Sequence, residues 1–270
     1  MKIKEFIYQT GMRSLRWFWG ISGGRRITAF GERFLVTPNT IFPSYRKFPL
    51  PKEGCVSEMV RYTDFVQLHS LCNLVAELDK PTVIDIGAHH GAYAIILGKM
   101  VQKKGGKVIA VEPVPESYAV LLKNISLNGL SNTVMCEEAA ISNESGHLVM
   151  ELKGVESRLS VNHTSNSCRV VGMTLRQLLE KHAITKVDLL IIDVEGAELP
   201  VLRSFPWQSA SVGRIFCELH PYAWKDFGYD GEGMRVFLLE HKYRCIDMYL
   251  NEHTTFTSGN YVGPTEFIHI

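Results

Sequence analysis

The stretch Thr82-Val83-Ile84-Asp85-Ile86-Gly87-Ala88-His89-His90-Gly91 decides the fold. Its aliphatic run is short enough for a buried strand, and the glycine after it marks a tight turn that opens a helix. Further along, Val108-Ile109-Ala110-Val111-Glu112-Pro113 repeats the aliphatic run and ends on a carboxylate. A strand, a glycine turn, a helix and a second strand ending in an acid form a nucleoside-binding unit, because that acid can accept both hydroxyls of a ribose.

The turn itself selects among nucleosides. A dinucleotide lays its pyrophosphate on the helix N-terminus and needs glycines where the backbone approaches the phosphates. With Gly87 as the second glycine of such a pattern, Asp85 fills the first position and His90 the third. A carboxylate there repels a diphosphate and suits a ligand with a positive sulfonium and an ammonium group, which describes S-adenosylmethionine. Asp85, Gly87, Ala88, His89 and Gly91 are the turn's expected cofactor contacts, with Tyr93 at the head of the helix, although core packing explains Tyr93 better. Glu112 is expected to take the ribose hydroxyls, Glu138 and Ala139 at the end of a third strand to border the adenine, and Pro113 and Asp193 to complete the cofactor contacts.

Outward from this unit the chain alternates strands and helices. Strands are expected at 82–86, 107–112, 133–137, 187–193, 213–219, 243–249 and 265–269, and helices near 91–103, 115–128, 174–183, 196–204 and 231–241. This rhythm predicts a mostly parallel seven-stranded sheet with helices on both faces. A helix over 58–78 precedes it, with Phe65, Leu68, Leu71, Cys72 and Val75 on one face. Between the third and fourth strands, residues 147–152 and 169–173 read as a strand pair around the polar segment 156–167, which lies where open α/β sheets place their ligands.

A second polar set, Asp193, Glu195, Glu218 and His220, sits at two strand ends. A spacing of two puts each pair on one face if its strand persists, so all four converge at the mouth of the sheet. Methyl transfer to a hydroxyl needs a proton acceptor, and His220 has the ordinary pKa suited to it, with Glu218 or Asp193 as its orienting partner. The same set is rich enough in oxygen for a hard divalent ion, yet no metal site is predicted, and no compact His/Cys cluster suits zinc.

Taken in order, Ile84-Asp85-Ile86-Gly87-Ala88, Val111-Glu112-Pro113, Lys123 to Leu130, Glu138-Ala139-Ala140-Ile141-Ser142, Asp188 to Glu198 with its Ile192-Asp193-Val194-Glu195-Gly196-Ala197-Glu198 core, and Glu218-Leu219-His220 resemble the FkbM family of S-adenosylmethionine-dependent methyltransferases over roughly residues 58–225. The resemblance implies a Rossmann-like class I methyltransferase fold and methylation of oxygen on a saccharide, glycolipid or other polyhydroxylated small molecule. The chain departs from the family's common residues at His89, Ile191 and Arg176, where Asn, Lys and an acid are usual.

Two other function classes fit the same sheet. A nicotinamide-dependent oxidoreductase is disfavoured by Asp85 and His90, and a non-catalytic adenosyl-binding scaffold is disfavoured by the intact polar set. Nucleic-acid binding lacks a recognisable module.

Charge is uneven along the chain. Its 270 residues carry a net +1, yet the first fifty hold nine Lys/Arg against two Asp/Glu, +7, which leaves −6 for the rest. Residues 1–57 read as a basic and aromatic extension with a hairpin within 26–42, and 58–270 as the catalytic domain. Trp17, Phe18, Trp19 and Ile21 interleave with arginines, a mixture suited to peripheral contact with an anionic membrane and equally to a helix packing its aromatic side on the core. No apolar run reaches the ~20 residues of a membrane span. Six widely spaced cysteines without a C-x-x-C pair read as reduced core residues, which favours a cytoplasmic address.

Overall fold

The computed structural model describes residues 25–29, 31–36, 63–152, 157–160, 166–247, 250–257 and 263–270. The aromatic, basic stretch from Arg13, the connection through Pro43, Pro49 and Pro51, and the start of the helix expected from Glu58 lie outside the described residues.

In chain order, β1 (Arg25–Ala29) and β2 (Glu32–Val36) precede α1 (Thr63–Glu77), β3 (Thr82–Ile86), α2 (Ala92–Lys103), β4 (Lys107–Val111), α3 (Pro115–Leu127) and β5 (Val134–Glu137). An insert follows: β6 (Ala140–Ile141), β7 (Gly146–Glu151), β8 (Arg158–Ser160) and β9 (Ser167–Met173). The chain then forms α4 (Leu175–Lys181), β10 (Lys186–Ile192), α5 (Glu198–Arg203), β11 (Ser211–Leu219) and a 3-10 helix (Trp224–Phe227). It closes with α6 (Gly231–Glu240), β12 (Tyr243–Asp247), β13 (Glu252–His253) and β14 (Gly263–His269).

The main sheet has the order β13-β12-β14-β11-β10-β3-β4-β5. Strands β11, β10, β3, β4 and β5 are mutually parallel, and β14 is antiparallel to both β11 and β12. This is the Rossmann-like methyltransferase architecture with one difference from the seven strands expected: β13, two residues long, adds an eighth at the edge. A two-residue ladder carries no periodicity from which to infer a strand.

The aliphatic runs are buried on both faces, as parallel strands require. Ile84, Ile86, Ile109, Val111, Leu190 and Ile192 enter one core, and Val83, Val108, Ala110, Leu189 and Ile191 enter the other. From β3 the chain winds through β4 to β5, while β10 and β11 lie on the other side of β3. The strand order therefore reverses between β3 and β10, which is where an open α/β sheet forms its ligand crevice.

The β1–β2 hairpin is anchored to this domain. Phe34 is fully buried in the second core. Asn128 of the α3 C-terminus accepts the Arg33 amide at 3.2 Å and donates to its carbonyl at 2.6 Å. One helical turn earlier, Asn124 treats Leu35 the same way and also donates to the His90 carbonyl at 2.9 Å. Two side-chain amides four residues apart on a helix thus replace a neighbouring strand for two residues of β2 and tie it to the glycine turn.

The insert forms a separate sheet of order β6-β9-β7-β8. Its edge strand is held across to the 3-10 helix by Arg158, whose guanidinium lies 3.1 Å from Asp226 and 3.7 Å from Glu151. Residues 153–156 and 161–165, within and beside the expected polar segment, lie outside the described residues. No described helix is long and apolar enough to cross a membrane.

Candidate functional site

The first half of the site is the turn after β3. The amides of Gly87 and Ala88 both donate to the Val111 carbonyl at 3.0 Å, which locks the turn to the end of β4. The Asp193 amide donates to the Ile86 carbonyl at 2.9 Å, which locks it to β10. Gly87 has φ +85°, and a Cβ there would collide with the Asp193 carbonyl oxygen, so both conformation and space demand glycine. His89 takes a left-handed φ of 48°. Asn, usual here in the family, accommodates that conformation readily, and His is the next kind of residue enriched in it.

Asp85 is 2% exposed, receives a hydrogen bond from the Ala94 backbone, and its Oδ2 has no partner. Burial pushes its carboxyl up to about 7, against the lowering effect of that bond. An orphaned buried carboxylate oxygen is costly for a protein to keep. A ligand carrying an ammonium group at the switch point would relieve it.

Glu112 is also buried, and each oxygen accepts one backbone amide: Oε2 from His89 at 2.8 Å and Oε1 from Val114 at 2.9 Å. A carboxylate has about four acceptor positions, so one per oxygen remains for a pair of ribose hydroxyls. Burial raises Glu112 to about 7, the two amide bonds oppose this, and the Asp85 charge adds to it. His89 and His90 stack with ring centroids 3.8 Å apart, and burial lowers them to about 4 and about 3. Both imidazoles are neutral at physiological pH, so the turn offers a pyrophosphate two acids and no cation.

The remaining expected contacts divide. Tyr93 is half-buried and packs against the core beside α2. Pro113 is half-buried between Glu112 and Val114. Glu138 is exposed, and Ala139 is buried in the hydrophobic core, which leaves its backbone as the part able to face a ligand. The better-held acid at that strand end is Glu137, which Lys181 and His182 bind at 2.5 and 2.7 Å.

The second half of the site is the carboxylate and imidazole group. Asp193, Glu195 and His220 bring ligand atoms within 4.8 Å of one another, a spacing that would also hold a divalent ion. His220 Nε2 lies 3.5 Å from Glu195 Oε2 and 3.9 Å from Glu218 Oε1. The convergence does not come from strand alternation at both ends. β10 stops at Ile192, and Asp193 and Glu195 are brought round by a turn in which Glu195 has φ 53° and Gly196 φ 113°.

The orienting partner expected for His220 was Glu218 or Asp193. The carboxylate held most tightly against the ring is that of Glu198, the last residue of the motif, whose Oε1 lies 2.8 Å from His220 Nδ1. Burial alone would lower His220, but the Glu198 hydrogen bond, with the charges of Glu198, Asp193 and Glu195, outweighs it and raises the imidazole to about 9. Asp193 is raised well above the ordinary carboxylate range, first by desolvation and then by Glu218, with His220 opposing. Tyr222, half exposed, donates its hydroxyl to Glu195 at 2.7 Å and meets the His220 ring edge-on. A cavity of about 410 Å³ begins at Pro221, the next residue, and is lined by Trp224, Lys225, Asp230, Arg235 and Phe256 among others.

The chain has relatives among known methyltransferases. The chain is 26% identical over 192 residues, 69% of its length and 73% of the relative's, to the hexuronic acid methyltransferase AglP of Haloferax volcanii. It is 24% identical over 166 residues, 49% of its length and 63% of the relative's, to the methyltransferase sdnD of Sordaria araneosa. Among solved structures it is similar to an O-methyltransferase of Bacillus cereus (TM-score 0.47, 13% identity, 84% of this chain and 96% of that one). It is likewise similar to the FkbM methyltransferase of Methylobacillus flagellatus (TM-score 0.45, 12% identity, 71% and 44%). Residues 85–245, which include both halves of the site, match the methyltransferase FkbM domain, and the chain belongs to that family of S-adenosylmethionine-dependent methyltransferases.

Proposed function

We propose that the protein methylates a hydroxyl group of a saccharide, glycolipid or other polyhydroxylated small molecule, with His220 taking the hydroxyl proton. The observation that carries this reading is the position of Asp193, whose amide braces the turn that bears the buried acids Asp85 and Glu112 and whose carboxylate lies within 4.8 Å of a ring nitrogen of His220. Asp193 belongs to both halves, since its backbone braces the glycine turn and its carboxylate faces the imidazole.

The residues fit S-adenosylmethionine: Asp85 has a carboxylate oxygen to offer the ammonium, and Glu112 has one acceptor position per oxygen for the ribose. The bound donor supplies a methyl group on positively charged sulfur. With the donor bound, the hydroxyl would give its proton to Nε2 of neutral His220 as its oxygen takes that methyl group from sulfur. The enzyme's main task is to hold the two reactants in line and exclude water. The Asp193, Glu195, Glu198 and Glu218 carboxylates around one imidazole favour a neutral hydroxyl over an anionic acceptor group at that point. The name of the Haloferax relative supports a saccharide acceptor. The five described cysteines are free, which supports a cytoplasmic address. Peripheral membrane contact through the first residues belongs to a segment outside the description.

Mass-spectrometric detection of methylated product, with S-adenosylmethionine and a panel of neutral glycans and glycolipids, tests this reading. Methyl ethers of neutral sugars are the expected products, and products confined to methyl esters or methylated amines would overturn it. The pH dependence follows from His220. An imidazole held at about 9 is mostly protonated at neutrality and cannot accept a proton. kcat/KM for the donor, which reports the free enzyme, is therefore expected to rise about tenfold per pH unit from 7 towards 9 and then level. The limb in kcat should lie at lower pH, because a bound cation nearby lowers the imidazole. A flat kcat/KM profile from pH 7 to 9 would contradict the assignment.

A further inference from the structure

We propose that Glu198 is the positioning residue for the proton-accepting imidazole: it accepts the Nδ1 proton of His220 and so leaves Nε2 as the basic atom facing the acceptor. This rests on the reading of His220 given above and names the group that makes His220 suitable.

Glu198 is fully buried, and each of its oxygens is met by donors. Its Oε1 takes the Gly196 amide at 2.9 Å and faces His220 Nδ1 at 2.8 Å. Its Oε2 takes the Trp224 indole at 2.7 Å and the Tyr229 hydroxyl at 3.0 Å. The Gly196 amide, the Trp224 indole and His220 Nδ1 hold both oxygens, with the Tyr229 hydroxyl beside Oε2, so the carboxylate cannot rotate away from the imidazole without breaking buried bonds. An ionised carboxylate can only accept, which assigns the proton on that edge of the ring to Nδ1. The opposite edge, Nε2, is turned towards Glu195 and Glu218.

The same carboxylate joins the separate pieces of the catalytic half. Gly196 follows Glu195 in the turn beyond β10, His220 follows β11, and Trp224 and Tyr229 belong to the 3-10 helix and the segment after it. The single proton of the Tyr229 hydroxyl is shared between Glu198 Oε2 and the Gly196 carbonyl, 2.8 Å away, so the turn is met at both its amide and its carbonyl. Trp224 and Tyr229 stack with centroids 5.2 Å apart over this group. A scaffold that served only to pack the loops had no need of a buried charge, which costs more than an apolar filler of similar volume.

Two measurements on the full chain test the proposal. The first uses the wild type without acceptor: nitrogen NMR of the His220 ring at a pH above its titration. The expected tautomer carries hydrogen on Nδ1, and hydrogen on Nε2 would overturn the proposal whatever the fate of the methyl-transfer reading. The second compares Glu198→Gln with Trp224→Phe. Trp224→Phe removes a donor to Glu198 and leaves the His220 contact in place, so it controls for disturbance of the buried group. Glu198→Gln is expected to lower kcat by about 10²–10⁴-fold, the range that a general base contributes. It should also move the kcat/KM limb to lower pH and leave adenosylhomocysteine affinity near the wild-type value. Trp224→Phe is expected to keep the wild-type limb. A Glu198→Gln enzyme with an unmoved limb, or one whose losses are matched by Trp224→Phe, would assign Glu198 to packing alone.

Discussion

Glu112→Ala is expected to weaken binding of S-adenosylmethionine and S-adenosylhomocysteine by roughly 10²–10⁴-fold, since two charge-assisted hydrogen bonds at ~1.5–3 kcal/mol each disappear. The loss has a second part in the structure. Glu112 accepts the His89 and Val114 amides, so its removal also loosens the glycine turn and the entry to α3. Glu112→Gln separates the two effects, because one carbonyl oxygen remains and the volume is kept. An intermediate loss is expected there, with a melting temperature closer to wild type than that of the alanine variant. Isothermal titration calorimetry measures the affinities and scanning calorimetry the melting temperatures, and wild-type affinity in Glu112→Ala would remove this residue from the ligand site.

His220→Ala is expected to lower kcat by about 10²–10⁴-fold while donor affinity stays within a few-fold of wild type. The separation follows from placement: His220 follows β11 among Glu195, Glu198 and Glu218, whereas the residues proposed to bind the donor, Asp85 and Glu112, lie in β3 and just past β4. Stability will also respond. The fold favours the imidazolium, so its contribution is present in full below the unfolded value near 6.5 and is lost as pH rises through about 9. The alanine variant should therefore show a smaller drop in melting temperature between pH 6.5 and 9 than the wild type. Full turnover in His220→Ala would assign the proton to another group, with Asp193, raised by burial and by Glu218, next in line.

Much of the scaffold was legible in the residues because its strands are buried on both faces and bounded by glycine, proline and acids. The β3 turn itself was legible: Asp85 and Glu112 are acids in or at the end of aliphatic runs, and Gly87 marks the turn, where φ is +85° and a Cβ would not fit. The second half of the site was legible as a set of residues, and the reason given for its convergence was only partly right. Strand alternation accounts for Glu218, but Asp193 and Glu195 lie past the end of β10 and are turned inward by left-handed backbone at Glu195 and Gly196. No periodicity encodes such a turn, although Gly196 between two acids is a local sign of one.

Glu198 was read as part of a family motif and given no role. Its partners Trp224 and Tyr229 lie about thirty residues downstream in a segment without strand or helix pattern, so only tertiary structure could bring them together. Asn124 and Asn128 show the same limit. Their spacing of four marks one helix face, but that the face reads the backbone of a hairpin ninety residues earlier follows from packing alone. Ala139 illustrates the converse: its position at a strand end suggested a ligand contact, and its methyl group went to the core instead.

The central claim is that the acidic glycine turn between β3 and β4 accepts a cationic adenosyl donor and rejects a coenzyme bearing a diphosphate. Calorimetric titration of the full chain with S-adenosylhomocysteine and, separately, with NADH tests it most directly. Saturable, Glu112-dependent binding of S-adenosylhomocysteine and no detectable heat with NADH is the predicted result. Tight NADH binding with no response to S-adenosylhomocysteine would contradict it.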